Sequence, residues 1–194
     1  MNKPEFIIIH HSATRQGDAA SFRRNHKARG WRDIGYHYVI NNGTYQPDGL
    51  IEKGRDENVE GAHCKPDNMN FRSIGICLVG NFEEHTPTEA QLTSLLNLCK
   101  DIISRHNIPA SRVLGHGEVA NTLCPGRYLD MRVLRTKLQL EVSNDYKGHW
   151  AEGSIKKAID AGLLTPNLDG KFRPNDAVTR AELAVILDRM GALD

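Results

Sequence analysis

Three side chains in this sequence have the types and placement for metal chemistry: His10, His116 and Cys124. His10 closes the apolar run Phe6-Ile7-Ile8-Ile9, and His116 closes Arg112-Val113-Leu114-Gly115. A buried strand normally ends in turn residues rather than imidazoles. Cys124 follows His116 by eight residues in GHGEVANTLCP. Two imidazoles and a thiolate with no obvious fourth ligand describe a zinc site with one position open, the catalytic rather than the structural pattern. The corresponding chemistry is hydrolysis by an activated water. His116 and Cys124 sit on a strand end and the loop after it, so that loop must fold back, and Pro125-Gly126 supports a sharp turn there. H-x7-C is not a specific zinc spacing, however, and core histidines with a structural cysteine account for the same residues.

Other side chains surround these three in the sequence. Tyr36 opens a predicted strand after Gly35, where a phenol could stabilise a developing oxyanion or simply pack. His37, next along, faces the other side of that strand. Thr122, two residues before Cys124, could orient a substrate or serve only as a turn threonine. His11 points away from His10 and is expected behind it or along a groove. His63, in the glycine-bearing loop GAHCK, is expected to contact substrate. His26, His85 and His106 lie in or near helix ends and read as solvated or capping residues.

The elements that must position these groups alternate between strand and helix. Strands are predicted at 6–10, 36–40, 74–79 and 112–116. The pair Asn42-Gly43 signals a hairpin and a further strand at 44–46. The near-continuous apolar run Ile74-Gly75-Ile76-Cys77-Leu78-Val79 marks a central strand covered on both faces. Leu92, Leu95, Leu96, Cys99, Ile102 and Ile103 repeat at helical spacing over 87–106. Thr86 and Glu89 form a capping box there, with Pro87 at the first helical position. Shorter helices are predicted at 20–28 and 131–140. This alternation gives an α/β fold, a sheet with both faces covered. The polar run EVSND at 141–145 then separates residues 1–140 from a second unit, 146–194. That unit reads as helix 151–161, Gly162 at its C-cap, a turn at Asp169-Gly170, and helix 180–191. Thr179 and Glu182 cap the last helix. A unit this small makes a marginal core without disulfide or metal, so it is expected to lean on a partner.

Composition excludes several classes. With 25 basic and 24 acidic residues in 194, the net charge is +1. This leaves no basic footprint for nucleic acid and no polybasic patch for a membrane. The opening MNKPEFIIIHHSATRQ carries only four strong apolar residues in a row, too few for a secretory signal. Synthesis in the cytosol is therefore expected, unless a leader has been removed. Of the four cysteines, Cys77 and Cys99 sit in apolar patterns and read as buried thiols; Cys64 could be a bystander or could oxidise.

Four segments, IIIHHSAT, GWRDIGYHYVINNGT, GAHCKPDNMNFRSIGICLVGNF and LGHGEVANTLCPG, together resemble the zinc-dependent N-acetylmuramoyl-L-alanine amidases of the type-2 amidase, phage T7 lysozyme and peptidoglycan-recognition-protein group. The resemblance covers roughly residues 4–138. It implies a mixed central sheet flanked by helices, with zinc in a surface groove. It implies that His10, His116 and Cys124 are the zinc ligands, that Tyr36 assists catalysis, and that His11, His37, His63 and Asn81 line the substrate groove. Thr122 stands where phage T7-type enzymes carry a lysine and where active recognition proteins often carry threonine. The glutamate that cytosolic recycling amidases place on the strand here reading SIGICLVG has no counterpart. The implied reaction cleaves the amide between N-acetylmuramic acid and L-alanine in peptidoglycan. A non-catalytic peptidoglycan-binding protein is the alternative, and the presence of Cys124 argues against it.

The second unit, with HWA, DGKFRPN and VTRAE, resembles one S-layer homology repeat, a small helix-loop-helix module. This implies attachment to a secondary cell-wall polymer, with Trp150 and Arg180 as contacts, and self-association of the unit. An amidase joined to a wall anchor without a leader implies a phage or prophage endolysin, made in the host cytoplasm and acting at the wall. A bacterial autolysin is the same-class alternative.

Overall fold

The structure is a computed structural model describing residues 2–142, 145–161, 163–164 and 171–192. It divides into two compact units, Met1–Arg135 and Thr136–Asp194. The division falls within a helix, a few residues before the polar run at 141–145. Gly162 and Asp169-Gly170, where the sequence predicts a cap and a turn, lie outside the described residues.

The first unit is built on one five-stranded mixed sheet. Its strands are β1 (Phe6–His11), β2 (Tyr38–Ile40), β3 (Ile51–Lys53), β4 (Ser73–Leu78) and β5 (Val113–Gly115), in the order β3-β2-β4-β1-β5. All pairings are parallel except that of β3, which runs antiparallel along the edge of β2. The helices are α1 (Ala19–Ala28), the single turn α2 (Met69–Arg72), α3 (Glu89–His106) and α4 (Met131–Val142).

β1 is central and buried throughout, with Ile7, Ile8 and Ile9 fully removed from solvent. Alternation sends Ile8 and His10 to one face and Ile7, Ile9 and His11 to the other. On the His10 face, Cys77 and Val39 pack with Phe22 and Ala19 of α1. Ile8 packs there with Cys64 and Met69. All four cysteines are free. Burial pushes the Cys64 thiol up to about 11 and that of Cys99 to about 12, which makes them inert hydrophobes.

Two local expectations are corrected. The strand predicted at 44–46 lies instead at Ile51–Lys53, joined to β2 by a ten-residue loop rather than a two-residue turn. Asn42 bonds Thr44 locally, while buried Asn41 donates to the Leu50 carbonyl and the Glu52 carboxylate, so pairing resumes only at Leu50. The long helix is capped by Thr88 and Gln91, not Thr86 and Glu89, and Pro87 precedes the cap. Gln91 decides this: its side-chain amide also donates to the carbonyls of Ile40 and Val79, tying the helix start to two strand ends.

In the second unit, the described residues after α4 form the helices α5 (Glu152–Asp160) and α6 (Arg180–Arg189), and Thr179 and Glu182 form the expected capping box. The Asp145 carboxylate accepts from the amides of Phe172 and Arg173, and Tyr146 meets Phe172 edge to face. The periodic apolar residues Leu183 and Leu187 of α6, and Met190 at its C-cap, are exposed. Among the described residues, no helix is long and apolar enough to cross a membrane.

At the amino ends of the parallel strands, Glu57 accepts from Tyr38, from both terminal nitrogens of Arg105 and from His106. Burial would raise its carboxyl, but these bonds outweigh it and hold the group down at about 2. A depressed carboxyl stabilises the fold above its unfolded value and loses that contribution as pH falls through its folded value. Glu57→Gln is expected to cost about 1–3 kcal/mol near pH 7. In urea titrations, the gap between wild type and variant should close between about pH 4.5 and 2.

Candidate metal centre

The register of two parallel strands brings the histidines together. Ile9 of β1 pairs with Gly115 of β5, so the next residue on each strand, His10 and His116, stand side by side at the carboxyl end of the sheet. Their ring centroids are 4.5 Å apart, close to the spacing of neighbouring strands. After β5 the chain makes a tight helical turn, His116–Glu118. The Glu118 carboxylate accepts from the Gly115 amide and from Arg135, which clamps that turn.

The loop does fold back. The Gly117 amide donates to the Cys124 carbonyl at 2.6 Å, and the Gly126 amide to the Leu123 carbonyl at 2.7 Å. The backbone N–H of His11 donates to Cys124 Sγ at 3.4 Å, fastening the sulfur to the end of β1. The Cys124 amide in turn donates to Thr122 Oγ1. His10 Nδ1 then lies 3.7 Å from Cys124 Sγ. The ligand atoms of His10, His116 and Cys124 all fall within 4.8 Å of one another.

These residues fit a zinc ion. Bonds of about 2.0–2.1 Å to nitrogen and 2.3 Å to sulfur in tetrahedral geometry set an N···S edge of about 3.6 Å. Burial first, then the neighbouring His63, His116 and His11, holds His10 well below the usual imidazole range. Burial likewise lowers His116. Both rings are thus neutral and keep a lone pair for a metal. Burial pushes the Cys124 thiol up to about 11, against the opposing bond from His11; a nearby cation reverses that direction.

The remaining candidates separate into those beside the triad and those inside the fold. Tyr36 sits with its ring 5.4 Å from that of His10, against the cluster of Phe22, Val39 and Cys77. The Cys77 thiol, burial and Cys124 raise its phenol well above the ordinary value, so it stays protonated and can donate. Thr122 is exposed beside Cys124. Asn81 is half-buried and bonds Glu84 and the Glu83 amide within its own turn.

His37 and His11 differ from their expected place in a groove. His37 is fully buried, with Nδ1 accepting from the Gly75 amide and Nε2 facing the Val59 carbonyl. It laces β4 to the 59–62 loop. His11 is buried and accepts from the Phe82 amide. His63 is turned inward, its Nδ1 3.0 Å from His10 Nε2. In the second unit Trp150 is 92% exposed, and Arg180 is exposed in the first turn of α6.

Sequence reasoning missed the residues that hold this geometry. Glu118 carries no motif of its own, only its place two residues after His116. Gly75 did carry a signal, as a glycine interrupting a strand. A cavity of about 1230 Å³ opens at the other end of the sheet, lined by Tyr38, Arg55, Glu57 and Arg105 among others. Its charges largely satisfy each other, and it is remote from the triad.

Residues 1–127 match the family described as N-acetylmuramoyl-L-alanine amidase, and residues 144–184 match the S-layer homology domain. The chain is 43% identical over 98 residues to peptidoglycan-recognition protein SC2 of Drosophila melanogaster, half of each protein. It therefore spans about half the length of that relative. It is 37% identical over 127 residues to the endolysin of Escherichia phage T7, covering 61% of this chain and 78% of the phage protein. Among solved structures, the N-acetylmuramoyl-L-alanine amidase LysC from Clostridium intestinale aligns at a TM-score of 0.64 with 34% identity, over 71% of this chain and 86% of that one.

Gly126 is where the returning loop meets the neighbouring turn. Its φ is +102°, and a Cβ there would fall 2.4 Å from the carbonyl carbon of Phe82. Gly126→Ala is expected to destabilise the first unit by about 2 kcal/mol or more, through both the strained φ and the backbone clash. Thermal unfolding checks this, and an unchanged midpoint would contradict the packing described.

Proposed function

Because this chain belongs to the N-acetylmuramoyl-L-alanine amidase family, we propose that it hydrolyses the amide joining the lactyl group of N-acetylmuramic acid to L-alanine in peptidoglycan, using zinc held by His10, His116 and Cys124. The observation that carries the reading is the convergence of those three ligand atoms within 4.8 Å, with the His10–Cys124 separation of 3.7 Å close to the edge of a tetrahedral zinc site. When bound, zinc supplies a Lewis acid for the scissile carbonyl and lowers the pKa of a water toward about 7.

The chain's own residues supply the rest. The Tyr36 phenol, protonated and packed beside His10, donates to the oxygen on which negative charge develops. Thr122 uses its oxygen to accept from the Cys124 amide, which leaves its hydroxyl proton free to orient substrate. Asn81 and the half-buried edge of His63 border the same end of the sheet. The likeness to peptidoglycan-recognition proteins and to a phage endolysin supports peptidoglycan as the substrate. A protein that only binds peptidoglycan is the second reading, supported by the recognition proteins' name.

The match of residues 144–184 supports a role for the second unit as a wall anchor. Exposed Trp150 and Arg180 would meet a secondary wall polymer, and retention there raises the enzyme's local concentration. The exposed stripe of Leu183, Leu187 and Met190 supports self-association of this unit. Release onto the wall of a phage-infected cell, as an endolysin, fits this arrangement, with a bacterial autolysin as the same-class alternative.

Purified walls incubated with the protein should release free amino groups, and mass spectrometry of the digest should show the lactyl–alanine bond cut. A chelator should abolish release and zinc restore it; Cys124→Ser should reduce it about 100-fold or more. Release that ignores the chelator, or none at all from the wild type, would reject hydrolysis by this site. In a separate pelleting assay with intact walls, Trp150→Ala should leave more protein in the supernatant while release from soluble fragments is unchanged. Equal pelleting of both proteins would remove Trp150 from the anchor.

A further inference from the structure

The geometry points to His63 as a positioning residue for the metal centre: its bare Nδ1 accepts the Nε2–H of His10 and so commits His10 to coordinate through Nδ1. This deepens the zinc reading above and rests on it. His10 offers Nδ1 to the side where Cys124 Sγ lies 3.7 Å away, and Nε2 to His63 Nδ1 at 3.0 Å. A ligating nitrogen needs its lone pair, so the proton of neutral His10 belongs on Nε2. That proton meets His63 Nδ1, which must then be unprotonated, and His63 carries its own proton on Nε2. The usual partner of a ligating histidine is a carboxylate, a backbone carbonyl or water. Here it is a second neutral imidazole.

Two further observations support the assignment. His63 Nε2 is buried and, among the described residues, has no hydrogen-bond partner. Its neighbour His37 cannot accept from it, since both nitrogens of His37 are engaged by the Gly75 amide and the Val59 carbonyl. A buried unpartnered N–H is costly, and such groups persist where a function requires them. Presenting Nδ1 to His10 is that requirement. The ring is also held in place from two sides. A Cβ at Gly75 would fall 2.5–2.7 Å from the His63 ring, and one at Gly61 would fall 2.4 Å from it. Two glycines therefore make the slot in which the imidazole stands edge-on to His10, with the rings at 82°. Beside the expected contact with substrate, His63 thus has a second role, a contact with a ligand of the metal.

The test compares His63→Asn with His63→Leu, near-isosteres that differ in whether an oxygen occupies the Nδ1 position. Zinc affinity is read by competition with a chromophoric chelator, and apo-protein unfolding is measured alongside. Asn should bind zinc within about 3-fold of wild type, and Leu about 10–100-fold more weakly, at matched apo stability. Equal affinity of the two variants would overturn the role, whether both match wild type or both are weak. If neither variant folds, long-range ¹H–¹⁵N correlation on the zinc-loaded wild type decides. The proton should sit on Nε2 of both His10 and His63; a proton on His63 Nδ1 overturns the assignment. A wild type that binds no zinc at all would instead reject the metal reading itself.

Discussion

The register between β1 and β5 is the constraint on which the site depends. Pairing Ile9 with Gly115 leaves His10 and His116 adjacent, one residue beyond the pair. A slip of one residue would send His116 to the opposite face and separate the rings. Burial protects against that slip. Ile7, Ile8 and Ile9 are fully enclosed on both faces, so any shift exchanges packed residues for mismatched ones. The Ile-rich strand thus fixes the position of the two imidazoles as well as supplying core.

The third member of the cluster depends on a different kind of restraint. Cys124 is on a loop, and loops rarely hold atoms to a few tenths of an ångström unaided. Here the sulfur accepts from the His11 amide, the carbonyl accepts from Gly117, and the close approach of Gly126 to Phe82 sets where the loop returns. Glu118, held by Arg135, fixes the turn between His116 and Cys124. The result is a rigid N/N/S set on the carboxyl ends of parallel strands, where α/β sheets commonly build their sites.

Much of this was legible in the residues. Apolar runs located β1, β4 and β5, and the helical period located α3, because burial on two faces or on one stripe leaves a direct trace in residue type. The two histidines of the cluster were legible because a strand ending in histidine breaks the usual pattern. What stayed hidden was decided by contacts distant in sequence. Both Thr86-x-x-Glu89 and Thr88-x-x-Gln91 satisfy the capping pattern, and only the reach of Gln91 to Ile40 and Val79 selects the second. Asn42-Gly43 reads as a hairpin turn, yet buried Asn41 carries the chain on to Leu50. The inward turn of His37 and His63 needed the glycine slot beneath them, which a single-strand pattern does not reveal.

Whether His10, His116 and Cys124 hold zinc together is open to direct spectroscopy. X-ray absorption at the zinc edge of the full chain loaded with one equivalent of metal tests it most directly. One sulfur at about 2.3 Å and two imidazole nitrogens at about 2.0–2.1 Å are expected, with a light-atom fourth ligand. A first shell of nitrogen and oxygen alone, or zinc lost on simple buffer exchange, would contradict it.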